Sequence, residues 1–155
     1  MAIGTNDAIE KFGTQDAVDD GSTSSIADGA FSVAADITAW TNDDDAPSGR
    51  FVLRCQWGTV TSIAGKAVNL YGRPMNVEGT NDPPAPSANY LREALGSFTA
   101  PAASASTDVW LTLDVDLPNF YSSQVWEFYL ENLTGQTIAA GWAMWVTPAT
   151  IGPHA

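Results

Sequence analysis

Alternating apolar and polar side chains are the most regular pattern along this chain. The best example spans residues 107–117, where apolar side chains occupy every second position and Trp110 lies among the polar ones. The apolar members are Val109, Leu111, Leu113, Val115 and Leu117, and the polar members are Asp108, Thr112, Asp114 and Asp116. A period of two puts neighbouring side chains on opposite faces of an extended backbone, so this segment is predicted to be a β-strand.

Several other segments share strand character, and together they suggest the fold. They are residues 31–40, 51–57, 67–71 with an extension toward 77, 125–131 and 138–147, with a weaker candidate at 90–98. No helical apolar spacing supplies the crossovers that a parallel sheet needs. About eight strands with loops of unequal length favour an all-β fold, an antiparallel two-sheet sandwich of jelly-roll type. An immunoglobulin-like sandwich is the competing interpretation, although its Cys-Trp-Cys core is missing because Cys55 is the only cysteine.

The first 30 residues differ from the rest of the chain. They mix Asp, Ser, Thr and Gly with few large apolar side chains. We therefore predict an extended or partner-ordered N-terminal arm at 1–30, followed by a sandwich domain at 31–155. One helical turn is allowed at 7–12, because Asp7 could cap its N-terminus and Glu10 follows three residues later, as in a capping box. On this division, deletion of 1–30 is expected to leave a folded domain.

Charge narrows the classes of partner. The 155 residues include 6 basic and 18 acidic side chains, for a net charge of -12 at pH 7. Nucleic-acid binding relies on cationic contacts to phosphates, so we expect no nucleic-acid partner. The longest apolar stretch, 138–146, is much shorter than the roughly 20 residues of a spanning helix, so we also expect no membrane partner.

Side chains with catalytic or metal-binding potential are sparse. The acidic run Asp43, Asp44 and Asp45 offers oxygen ligands for a hard cation but lacks EF-hand spacing, and is better interpreted as a solvated or partner-facing loop. The single histidine, His154, is next to the end of the chain, and Cys55 lies in an alternating strand as a small core residue. We expect no enzymatic activity, no metal and no cofactor.

Six tryptophans are the main candidates for a binding surface. Trp142 and Trp145 are three residues apart and so fall on opposite faces of a strand, while Trp110 points away from Leu111 and Leu113. An outward tryptophan suggests a contact, and we favour a protein partner over a sugar. The predicted partner-binding residues are Phe12, Asp16, Asp19, Asp20, Asp43, Asp44, Asp45, Trp110 and Trp145.

Several short segments resemble parts of small virion structural proteins of tailed bacteriophages. They are TNDDDAP at 41–47, NLY at 69–71, GTND at 79–82, EFYLEN at 127–132, TGQTI at 134–138 and TIGPHA at 150–155. No segment carries a chemical mechanism, and the likeness lies in their combination and order from about residue 12 onward. The proteins that the chain most resembles are capsid decoration, or cement, proteins, some of which have a jelly-roll sandwich.

This resemblance implies a non-enzymatic role on the exterior of the mature phage head. The implied partner is the major capsid protein, and the implied assembly is a homo-oligomer, either a trimer or a dimer. The protein would be made in the host cytoplasm and end on the capsid exterior, where the arm would act as a strap. Two alternatives remain: a carbohydrate-binding β-sandwich module, and another virion component such as a head-tail or fibre protein.

Overall fold

Two antiparallel sheets form the fold, which confirms the predicted all-β sandwich. The computed structural model describes residues 8–59, 63–76, 81–90, 94–118 and 122–153. The strands are β1 Ala8–Phe12, β2 Asp16–Asp20, β3 Trp40–Asn42, β4 Ser48–Cys55, β5 Ala67–Pro74, β6 Gly96–Thr99, β7 Val109–Asp116, β8 Gln124–Leu133 and β9 Ala143–Pro153. One sheet has the order β1-β9-β4-β7, with β2 also paired to β9, and the other has the order β3-β8-β5-β6. The jelly-roll connectivity stays a prediction.

Aromatic side chains fill the space between the sheets. In β4 the alternate residues Phe51, Leu53 and Cys55 are buried, as the period-two pattern predicts. Phe51 packs edge-on against Phe128 of β8, with ring centroids 4.7 Å apart, and Trp126 stacks on the same phenylalanine. Each large apolar side chain buried in this way contributes about 1.5–3 kcal/mol. The packing of the two sheets therefore depends strongly on these rings.

The strands with strong alternation are found close to their predicted positions. These are β4, β5, β7 and β8. The prediction at 31–40 is wrong for most of its length, because Ala34–Asp36 forms a short 3-10 helix and β3 begins only at Trp40. The small apolar side chains of this segment are exposed, so the sheet gains little by including them. The prediction at 138–147 begins too early, since Gly141 has a φ of 88° and turns the chain before β9.

The weak strand predicted at 90–98 is shorter in the structure. Only Gly96–Thr99 forms a strand, and residues 91–93 lie outside the described residues. Within the described ranges, no helix is long and apolar enough to cross a lipid bilayer.

The N-terminal segment belongs to the five-stranded sheet and is not a separate arm between residues 8 and 30. Both β1 and β2 pair antiparallel with β9, so the helical turn expected at 7–12 is wrong for Ala8–Phe12. Val18 and Ile26 are buried in the core. The backbone of β1 and β2 is extended, as predicted, but it is ordered by strand β9 of the same domain and not by a partner protein. Since β9 offers backbone N–H and C=O groups along its edge, pairing with β1 and β2 satisfies them within the domain.

Side-chain hydrogen bonds hold this segment to the rest of the sandwich. The carboxylate of Asp36 accepts from the backbone N–H groups of Thr23 and Ser24, at 3.0 and 3.1 Å. The indole N–H of Trp40 donates to Asp16 at 3.0 Å, and the backbone N–H of Thr38 donates to the carbonyl of Val18. The segment at 34–40 is therefore hydrogen-bonded both to β2 and to the loop that follows β2.

Candidate binding face

One surface of the five-stranded sheet carries exposed aromatic and cationic side chains, and we call it the outer face. Strand register determines its layout, because residues opposite each other on adjacent strands project to the same side. Arg54 of β4 is opposite Trp110 of β7, and Val52 is opposite Trp145 of β9. The residues of the outer face are Phe12, Arg50, Val52, Arg54, Trp110, Thr112, Asp114, Trp145 and Thr147.

Two tryptophans from different strands meet on this face. The rings of Trp110 and Trp145 are nearly parallel, at 13°, with centroids 5.7 Å apart. The guanidinium carbon of Arg54 lies 6.0 and 5.9 Å from these two ring centroids, within reach of a cation–π attraction. Trp110 is 59% exposed and Trp145 is half-buried, whereas Trp142 is fully buried. The prediction that Trp142 and Trp145 face opposite ways is confirmed.

Polar side chains continue the outer face beyond the tryptophan pair. The amide of Gln56 donates to the carboxylate of Asp108 at 2.6 Å, and Arg54 donates to the carbonyl of Gly141 at 3.2 Å. A depression of about 290 Å³ opens at this point, lined by Arg54, Cys55, Gln56, Asp108, Ala140 and Gly141. We call the group Trp110, Trp145, Arg54, Gln56 and Asp108 the Trp end.

The opposite end of the outer face contains a second exposed aromatic ring. Phe12 is 45% exposed, and the guanidinium of Arg50 lies 4.9 Å from its ring centroid. Arg50 also forms a two-point salt bridge with Asp114, at 2.7 and 2.9 Å, and these hydrogen bonds hold the pKa of Asp114 below its ordinary value. A cavity of about 290 Å³ adjoins the ring, lined by Lys11, Phe12, Gly13, Asp44, Ala46, Pro148, Ala149 and Thr150. We call Phe12, Arg50 and the lining of this cavity the Phe12 end.

The acidic turn at 43–45 is held in place by its neighbours. The side-chain amide of Asn42 donates to the carbonyl of Ala46 and accepts from its N–H, at 2.8 and 3.0 Å. Asp45 has a φ of 50° and accepts from Ser122 and Ser123 across the turn. All three aspartates are exposed, and Asp44 lines a cavity of the outer face. Among the side chains that the structure describes, no three metal-ligating groups converge on one point.

The three predicted partner-binding aspartates of β2 have different environments. Asp16 is exposed and accepts from Trp40, and Asp20 is exposed. Asp19 is only 3% exposed, so the prediction that it contacts a partner is wrong in this fold. A β-bulge between Ala17 and Asp19 shifts the register and turns Asp19 away from the surface. Burial raises the pKa of Asp19 to about 6, against the lowering effect of a hydrogen bond from the N–H of Gly21.

The candidate nucleophiles do not assemble into catalytic machinery in the described part of the chain. Cys55 is buried, as predicted for a core residue, and burial raises the pKa of its thiol to about 12. A thiol with so high a pKa supplies almost no thiolate at neutral pH. His154 lies outside the described residues.

The outer surface of the four-stranded sheet holds a compact hydrogen-bonded network. Glu127 accepts from Arg73 at 2.6 Å and from the hydroxyl of Tyr129 at 2.7 Å. Glu131 accepts from Asn69 and Tyr71 in the same way. Because each carboxylate accepts hydrogen bonds from two donors on β5 or on its own strand β8, we interpret this network as structural.

Sequence reasoning identified Phe12, Trp110 and Trp145 but not the polar members of the Trp end. Arg54 and Gln56 alternate with Leu53 and Cys55, so the period of β4 was the signal that could have placed them on the outer face. Comparison of the chain with protein-family models, with curated proteins and with solved structures gave no match. The function is therefore argued from the sandwich, its outer face and the segment resemblance.

Proposed function

We propose that this protein is a non-enzymatic capsid decoration protein of a tailed bacteriophage. It binds the exterior of the mature head and stabilises the contacts between major capsid protein subunits. The observation that carries the proposal is the Phe12 end, an exposed aromatic side chain beside a cavity with apolar walls, on a domain with a net charge of -12. The segment resemblance to virion proteins supplies the identity of the partner.

The Phe12 end has the composition of a protein-binding anchor. Pro148, Ala149 and Ala46 form apolar walls, and Lys11 and Asp44 contribute charges of opposite sign. An aromatic anchor beside an apolar cavity with a polar surround is the usual arrangement of a binding hot spot. Full burial of a phenylalanine contributes about 1.5–3 kcal/mol. Phe12 is therefore the side chain from which head binding gains most.

Selective binding to one state of the shell explains the stabilisation. A capsid expands as its genome is packed, and a protein that binds across neighbouring subunits only in the expanded shell favours that shell by mass action. A trimer or dimer increases the effect, because the second and third contacts form at high effective concentration. The net charge of -12 suits basic patches on the capsid and opposes adhesion to the packaged DNA.

The proposal is tested by replacing Phe12 with serine. The variant is expected to co-sediment with expanded heads of the encoding phage about 3- to 10-fold more weakly, since the energy gained by burying the exposed 45% of the ring is lost. The control is Val33→Ser, because Val33 is 44% exposed but lies outside the five-stranded sheet. Equal binding by F12S and wild type would contradict the role of the Phe12 end.

Electron cryomicroscopy of virions tests the location independently. Density for the sandwich on the head exterior is the expected result. Density at the head-tail junction or in a fibre would support the alternative virion positions, and absence from the particle would refute the proposal as a whole.

A further inference from the structure

The Trp end has features that a protein-binding anchor does not need. Trp110 is the most exposed tryptophan in the described ranges, at 59%, yet its ring is held in one orientation by stacking on Trp145 and by Arg54. A side chain that is already ordered loses little conformational entropy when a ligand binds to it. The structure thus presents a pre-organised, solvent-facing indole.

Three planar polar groups lie on the same side of the sheet as this indole. Arg54 is opposite Trp110 in the β4–β7 register. Gln56 lies two residues after Arg54 and Asp108 two residues before Trp110, so both project to the same side of the sheet, where they are hydrogen-bonded to each other. Planar guanidinium, amide and carboxylate groups each form paired hydrogen bonds with two neighbouring polar atoms of a ligand. The adjoining depression of about 290 Å³ is close to the lower limit of about 300 Å³ for small-ligand sites. It accommodates a small polar ligand.

The combination of an indole and several hydrogen-bonding side chains defines the ligand chemistry. The ligand needs one flat apolar surface to stack on Trp110 and several neutral hydroxyl groups for Arg54, Gln56 and Asp108. An anionic ligand is disfavoured because Asp108 lies in the site and the protein carries a net charge of -12. A pyranose ring with equatorial hydroxyls meets both requirements, since its axial C–H bonds form an apolar face and its hydroxyls radiate from the edge.

We propose that the Trp end binds a neutral saccharide with gluco-configured rings. One ring stacks on Trp110, and its hydroxyls exchange hydrogen bonds with Arg54, Gln56 and Asp108. Trp145 acts as a positioning residue, because it contacts the back of the Trp110 ring. The site is separate from the Phe12 end, since Arg50 and Arg54 are four residues apart on β4, or about 13 Å at the rise of a strand.

The test is a titration of the purified full chain with cellohexaose, in which binding is measured by calorimetry and by intrinsic tryptophan fluorescence. We expect saturable binding with a change in tryptophan emission. Mannohexaose is expected to bind about 10-fold more weakly, because the axial hydroxyl of each ring interferes with stacking. The absence of saturable binding of cellohexaose at millimolar concentration would overturn the proposal.

Two variants assign the binding to the Trp end. Trp110→Ala is expected to weaken cellohexaose binding at least about 10-fold through loss of stacking, and Gln56→Ala is expected to weaken it without removing an aromatic ring. The control is Tyr90→Ala, since Tyr90 is 40% exposed but is not part of the outer face. Undiminished binding by both W110A and Q56A would overturn the assignment.

Head binding separates this proposal from the proposed function. The cellohexaose titration contains no heads, so its failure would leave the co-sedimentation result of F12S unaffected. Likewise, a failure of the co-sedimentation experiment would leave the titration result unaffected. If W110A loses head binding while the wild type binds no saccharide, the Trp end contacts protein, which would overturn the saccharide proposal.

Discussion

At the scale of single residues, a buried carboxylate is the most unusual group in the described structure. One oxygen of Asp19 accepts the N–H of Gly21 at 2.9 Å, while the other oxygen is buried without a hydrogen-bond partner among the described residues. Burial raises its pKa from 3.8 to about 6, and the negative charges of Asp36 and Asp20 raise it further in the same direction. An ionised Asp19 therefore destabilises the fold at neutral pH.

This arrangement predicts a specific dependence of stability on pH. Between pH 3.8 and about 6 the folded state binds more protons at Asp19 than the unfolded state does. The contribution of Asp19 to the free energy of unfolding is therefore largest below pH 3.8 and declines as the pH rises through about 6. Asp19→Asn removes this contribution, so the stability of D19N relative to wild type should rise by about 1–2 kcal/mol between pH 4 and pH 7.

Urea unfolding at a series of pH values checks this prediction. Asp43→Asn is the control, because Asp43 is an exposed aspartate that does not contribute to the pKa of Asp19. Parallel pH profiles for D19N and wild type would show that Asp19 titrates normally.

At the scale of elements, the strands differ in how much of their structure local pattern could predict. The alternation in β4 and β7 was sufficient to identify them, because one face of each is buried and the other is exposed. The short strands β1 and β2 show no regular alternation of apolar and polar side chains, and β9 supplies the edge with which they pair. Their structure therefore depends on a partner strand that is distant in the chain. Ala8, for example, pairs with Pro153, which lies more than 120 residues later.

Close packing within the four-stranded sheet gives an element-scale prediction at Gly72 of β5. A Cβ atom at this position would lie 2.8 Å from side-chain carbons of Leu95 and Trp126. Gly72→Ala should therefore lower the free energy of unfolding by about 1–3 kcal/mol, because the buried indole has little room to move. Chemical denaturation measures the change, and Gly58→Ala is the control, since a Cβ at Gly58 meets no atom within 4 Å. Equal effects of G72A and G58A would contradict this packing.

At the scale of the whole molecule, β9 connects the N-terminal segment to the sandwich. It pairs with β1, β2 and β4, and the first two contribute residues that sequence reasoning assigned to an arm. Val18 and Ile26 of this segment are buried in the core. Burial of the two side chains contributes about 3–6 kcal/mol by the usual value per residue, which is a large part of the roughly 5–15 kcal/mol that stabilises a typical domain.

Deletion of residues 1–30 is therefore expected to unfold the protein, contrary to the expectation from sequence alone. Circular dichroism and thermal melting should show loss of the cooperative transition, because two strands and two core residues are removed. Deletion of residues 1–7 is the control, since the described strands begin at Ala8 and remain intact. A cooperative transition at the wild-type temperature in the longer deletion would show that the sandwich does not need β1 and β2.

The sequence by itself determined the fold class and the faces of the strongest strands. Alternation in β4, β7 and β8 reflects burial on one side of each strand. The same local property showed that Trp110 points away from the core and that Trp142 and Trp145 face opposite ways. The tertiary structure decided which strands are neighbours. Trp110 and Trp145 meet only because β7 and β9 flank β4 in the right register. Likewise, Asp19 is buried only because a bulge turns it inward. Pairing and register depend on backbone hydrogen bonds and packing between distant segments, which the periodicity of a single segment does not encode.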